Sequence, residues 1–196
     1  DEIGVWLGWL KQQGVKKVVL VGHSRGGNQT AWFAAERMDP AVEGVLLIAP
    51  MTWSDAYGQS DYQKRFNTDL GPVLKRAEDM VKAGKGSEWL EKTGFIYCTD
   101  AKVQAQAFVS YHAPEARLDT PGLLGKIEVP VLVIAGTADD VVPDVAEKFE
   151  PIADGTRVRL EAIDGADHFF RDRQDDGVGQ QGNSVLLAEG EALPSD

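Results

Sequence analysis

The run Val18-Val19-Leu20-Val21, closed by Gly22, constrains the fold of this chain more than any other feature. Four apolar residues in a row, three of them β-branched, leave no polar face, so they read as a strand buried on both sides in a parallel sheet. Val45–Ala49 has the same character, as does Pro130–Ala135 with Val131-Leu132-Val133-Ile134 at its centre. Arg157–Ile163 instead alternates charged and apolar residues, which predicts a fourth strand, half exposed and near a sheet edge. Residues 27–38 hold Trp32, Phe33, Ala34, Ala35 and Met38 ahead of Pro40, a helix with its stop signal. Residues 1–13 place Ile3, Trp6, Leu7 and Leu10 at helical spacing before Gly14, and Pro143–Phe149 predicts a short helix with proline near its start. Strands alternating with helices imply βαβ units and an α/β fold on a parallel sheet.

The segment from 51 to 128 breaks this rhythm. It interleaves aromatic residues, from Trp53 and Tyr57 to Phe108 and Tyr111, with charge. Leu74–Val81 and Glu88–Lys92 predict helices, with a turn at Gly84-Lys85-Gly86. A connection this long must carry structure of its own, and a helical cap inserted between two sheet strands is expected. The core is then expected over 1–50 and 129–172. Residues 173–196 turn polar and glycine-rich, and a poorly ordered end is the expectation there.

At 196 residues, 43% hydrophobic and 26% charged, the chain suits a single sizeable core rather than a disordered polymer. The formal net charge of −11 argues against nucleic acid or an anionic membrane surface as partner. Cys98 stands alone, so no internal disulfide staples the fold, which fits a reducing, cytoplasmic setting. No run is apolar enough to span a membrane. The chain opens at Asp1 inside a helical pattern, and further sequence upstream is expected.

Gly22-His23-Ser24-Arg25-Gly26 matches Gly-x-Ser-x-Gly, with a strand before it and a helix after it. In that context the serine sits on a sharp, strained turn that lifts its hydroxyl over the end of the sheet. A Cβ on either flank is expected to collide within the turn, hence Gly22 and Gly26. The backbone N–H of Arg25 then points toward a developing oxyanion. A phosphate loop is excluded because Gly27 is followed by Asn28-Gln29 rather than Lys and Ser or Thr, and Gly-x-Gly-x-x-Gly is absent. Asp139 and Asp140 follow the strand ending near Gly136, and His168 follows the strand ending near Ile163. Three strands thus deliver Ser, Asp and His to one rim of the sheet.

The chain resembles the second half of an α/β-hydrolase, close to the lysophospholipase- and esterase-like group. The resemblance rests on Val18 to Gly27, on Pro130-Val131-Leu132-Val133-Ile134-Ala135-Gly136-Thr137-Ala138-Asp139, and on Gly165-Ala166-Asp167-His168-Phe169-Phe170, and it covers about residues 1–172. It implies a triad of Ser24, Asp139 and His168. The family spacing of glycine, two free positions and then the acid selects Asp139 over its neighbour Asp140. His23 is expected to pack or hydrogen-bond locally, and His112 to be structural or substrate-contacting. No metal or organic cofactor is implied.

The implied reaction is hydrolysis of a small-molecule or lipid-like ester. A peptidase, thioesterase or acyltransferase with the same triad, or a non-catalytic binding protein, is the alternative. The pattern departs from the family in two places. The upstream strands and their second oxyanion donor are not in this sequence, so the 196-residue chain alone is expected to be inactive or poorly folded, with the edge of Val18–Val21 an aggregation hazard. Downstream, residues 171–181 lack the apolar stripe of the family's following helix.

Overall fold

The structure is a computed structural model in which residues 2–171 are described. The described residues divide into two compact units, 2–52 with 116–171, and 53–115. In chain order the first unit opens with α1 (Glu2–Gln12), β1 (Val18–His23), α2 (Arg25–Glu36) and β2 (Val42–Ile48). The second contains α3 (Asp55–Phe66), α4 (Leu70–Lys82), β3 (Trp89–Phe95), β4 (Cys98–Gln104) and α5 (Ala105–His112). The first unit resumes with α6 (Thr120–Leu123), β5 (Val131–Gly136), α7 (Val145–Phe149) and β6 (Val158–Ile163).

The first unit is a parallel sheet in the order β1-β2-β5-β6. Its central strands are buried on both faces, and their alternation supplies two cores. Val45, Leu47, Val131 and Val133 pack on one side with Ala31, Phe33 and Phe149. Leu46, Leu132 and Ile134 pack on the other with Ile163, Ala166 and Phe170. An unbroken aliphatic run is what such strands require.

β1 departs from the expectation of burial on both faces. Val18 and Leu20 lie against the first core, but Val19 and Val21 are 38% and 58% exposed. The reason is its place in the sheet: the second core draws on β2, β5, β6 and the 166–170 loop, and none of these covers β1. β6 is the half-exposed outer strand that its alternation predicts, paired only with β5 among the described residues.

In the second unit, α3, α4, α5 and an antiparallel β3–β4 hairpin close around Tyr62, Leu74, Leu90, Val103 and Phe108. Ser54 caps α3 by accepting from the Tyr57 N–H, and Asp69 caps α4 by accepting from the Gly71 N–H. The helix expected at Glu88–Lys92 is instead part of β3, so this unit is not purely helical. Leu90 pairs with Val103 across the hairpin, and that cross-strand partner lies outside any local window of sequence. His112 joins the aromatic cluster, its ring 4.5 Å from Phe108 and edge-on to Tyr62 at 5.4 Å. Among the described residues no helix is long and apolar enough to cross a membrane. The polar segment 173–196 lies outside the described residues.

Candidate active site

Ser24 follows β1 and precedes α2, where the chain reverses within one residue. Its backbone sits at φ 54°, ψ −124°, a conformation that a side chain with a Cβ rarely adopts. Its N–H donates to the Ile48 carbonyl at 2.9 Å, which pins the turn to the end of β2.

The glycines around the turn do not contribute equally. A Cβ at Gly22 would lie 2.5 Å from both the Gly26 carbonyl oxygen and the Thr30 hydroxyl. At Gly26, by contrast, a Cβ would meet nothing within 4 Å, so the expected collision there does not occur. The second crowded glycine is Gly27, whose added Cβ would be 3.0 Å from Pro50. The turn is sharp enough to press its first glycine onto the new helix, while Gly26 already faces outward from α2. Gly22→Ala is therefore expected to destabilise by at least about 1–3 kcal/mol. Gly26→Ala is expected to be neutral or to stabilise by up to about 1 kcal/mol. Urea unfolding of the two variants checks the contrast.

Asp139 lies in the loop after β5 and His168 in the loop after β6. These loops are stitched together by Thr137 N–H to the Ile163 carbonyl at 3.1 Å and Ala138 N–H to the Ala166 carbonyl at 3.0 Å. Gly136 is needed at this seam, because a Cβ there would strike the Ala166 carbonyl. Thr137 adds a side-chain link, accepting from the Gly165 N–H at 2.8 Å.

The structure brings the three predicted side chains into one line. His168 Nε2 is 2.9 Å from Ser24 Oγ, and His168 Nδ1 is 2.8 Å from Asp139 Oδ2. The His168 and Asp139 side chains are 2% and 1% exposed. Asp139 Oδ1 accepts two further bonds, from the N–H groups of Val141 and Val142, each at 2.8 Å. Burial pushes the Asp139 carboxyl up, but the bond from His168 and those from Val142 and Val141 outweigh it and hold the pKa below 3.8. The acid is thus a carboxylate near neutral pH and can only accept. That fixes Nδ1 of His168 as the protonated nitrogen and leaves Nε2 to accept from the Ser24 hydroxyl. Asp140 is exposed and takes no part in this line.

His23 donates from Nε2 to the His168 backbone carbonyl at 2.7 Å, and its ring stacks at a tilt against the His168 ring at 4.7 Å. It thereby supports the His168 loop. Arg25 opens α2, so its backbone N–H belongs to the helix's positive end, and its guanidinium reaches Met51 Sδ at 3.9 Å.

The sequence alone does not reveal the polar supports behind this line. Thr52 donates to the Asp144 carboxylate, which ties the segment after β2 to the loop that bears Asp139. Asn28 and Thr120 hydrogen-bond each other inside the core. The available signal is a polar residue on the buried face of α2, and this does not name its partner. Among the described residues no group of three or more His, Cys, Asp or Glu is placed to hold a metal ion.

A family model described as "Alpha/beta hydrolase family" matches residues 2–180. Over 59 residues, the chain is 34% identical to a protein of Mycoplasma pneumoniae whose name assigns it provisionally to the esterase/lipases. That match covers 30% of this chain and 21% of the other. Est1E of Butyrivibrio proteoclasticus, solved with ferulic acid bound, superposes with a TM-score of 0.58 at 16% identity, covering 94% of this chain and 64% of that one. A monoacylglycerol lipase of Paleococcus ferrophilus superposes with a TM-score of 0.54 at 16% identity, covering 85% of this chain and 65% of its own. The chain therefore spans about a fifth of the curated relative and just under two thirds of these two structures.

Proposed function

This chain belongs to the alpha/beta hydrolase family, and we propose that it carries the catalytic residues of a serine esterase. Ser24 Oγ attacks the ester carbonyl while His168 Nε2 takes its proton. The carbonyl oxygen becomes an oxyanion that the Arg25 N–H stabilises at the start of α2. The tetrahedral intermediate collapses, His168 returns the proton to the departing alcohol, and the acyl group remains on Ser24. Water then repeats the sequence, with His168 as base, and releases the acid. Asp139 keeps the imidazole in the required tautomer and offsets its charge when it is protonated.

The observation that carries this reading is the unbroken line from Ser24 Oγ through His168 to Asp139, at 2.9 and 2.8 Å, on a serine with φ 54°. A binding protein has no need of a serine strained in this way. The esterase/lipase name of the curated relative favours an ester over an amide or thioester. A small or lipid-like ester is the substrate class. The test is labelling of the folded full-length protein with a fluorophosphonate probe. Covalent labelling of the wild type, lost in Ser24→Ala, is expected. A folded wild type that takes no label overturns the proposal.

A further inference from the structure

Asn28 and Thr120 are buried polar side chains, 3% and 0% exposed, that the acyl-transfer chemistry does not use. Apart from a bond to Arg117, the bonds they make lead back to Ser24. The Asn28 amide donates from Nδ2 to the Arg117 carbonyl and to Thr120 Oγ1, both at 2.9 Å. With both hydrogens committed, the orientation of the amide is fixed. The Thr120 hydroxyl passes its own hydrogen to the Met51 carbonyl at 2.5 Å. The Met51 N–H donates to the Ser24 carbonyl at 2.9 Å, and the Asn28 backbone N–H donates to that same carbonyl at 3.3 Å. The bonds therefore close a circuit, running from the Ser24 carbonyl through Met51, Thr120 and Asn28 and back to the Ser24 carbonyl.

The circuit sits where the backbone most needs restraint. Ser24 holds φ 54° without a side-chain cap to its own helix. The segment that supplies Met51 follows Ala49, which is also at positive φ (40°) and fully buried, and Pro50 abuts Gly27 of α2. A strained conformation persists only where its surroundings over-determine it. We infer that Asn28 and Thr120 are positioning residues, which hold the Ser24 backbone in the conformation that aims its Oγ at His168. The inference rests on the reading of Ser24 as nucleophile.

The test compares Thr120→Val, which keeps the shape and removes the hydroxyl, with Thr120→Ser, which restores it. Both are made in the full-length protein and assayed well below their melting temperatures. Thr120→Val is expected to lower kcat on a p-nitrophenyl ester about tenfold and to slow fluorophosphonate labelling alike, because small misplacements of a reacting atom are costly. KM should change less than about twofold, because the ester's binding contacts are untouched. Thr120→Ser should recover most of the rate. A purely structural role would lower the melting temperature and leave kcat of the folded variant unchanged, and that result overturns the inference. If Thr120→Val does not fold, Asn28→Ala, which opens the circuit at its other member, is judged by the same kcat and KM criteria. A wild type that takes no label refutes the nucleophile reading and this inference with it. A labelled wild type with an equally fast Thr120→Val refutes only this one.

Discussion

Ser24→Ala is expected to lower kcat on a p-nitrophenyl ester by roughly 10⁵–10⁶-fold, with KM changed far less. Removing Oγ leaves His168 Nε2 with nothing to deprotonate but water. The buried imidazole–carboxylate pair at 2.8 Å remains intact, since it does not depend on the serine. The variant should therefore fold and bind as before, and any residual turnover would reflect the oxyanion donor and binding alone. Circular dichroism paired with initial rates checks this. A loss of less than tenfold in a folded variant would remove Ser24 from the chemistry.

Asp139→Asn is expected to cost on the order of 10⁴-fold in kcat, whereas Asp140→Asn should stay within about twofold of wild type. An amide at 139 can present an N–H to His168 Nδ1, which favours the tautomer with the proton on Nε2, and that imidazole cannot act as base. Asp140 lies exposed one residue away, so the pair separates position from mere acidity. The same carboxylate sets a pH dependence of stability. Its folded pKa lies below 3.8, because the bonds from His168, Val142 and Val141 outweigh the burial that raises it. A depressed folded value means a contribution that is fully present above 3.8 and is lost as pH falls through the folded value. In urea unfolding, the difference between wild type and Asp139→Asn should narrow as pH falls below about 4. A difference that widens on acidification below about pH 4 would contradict the hydrogen-bond account.

Much of this architecture is legible in the chain itself. β2 and β5 announce themselves because burial on both faces forbids polar residues, and β6 because exposure on one face restores alternation. The rim bearing Ser24, Asp139 and His168 follows from where those strands end. Position within the sheet is not legible. Val18–Val21 has the same pattern as a central strand, yet its outer face is open, because an apolar run records local character and not its neighbours in the sheet order. The β3–β4 hairpin escapes for a related reason, since Leu90 finds its reason to be extended only in Val103. The Asn28–Thr120 bond spans 92 residues of chain, and no periodicity reaches that far.

The bond from Thr120 to the Met51 carbonyl joins residues 69 apart in sequence at almost the point where the chain leaves the first unit and returns to it. Departure and return thus share one threshold. Closing a loop across such a threshold costs little more for a long excursion than for a short one. The length of what lies beyond it therefore weighs little on the strands and on the turn at Ser24, whose geometry is set on the near side of the threshold. The same two stitches can close excursions of very different length at nearly the same cost.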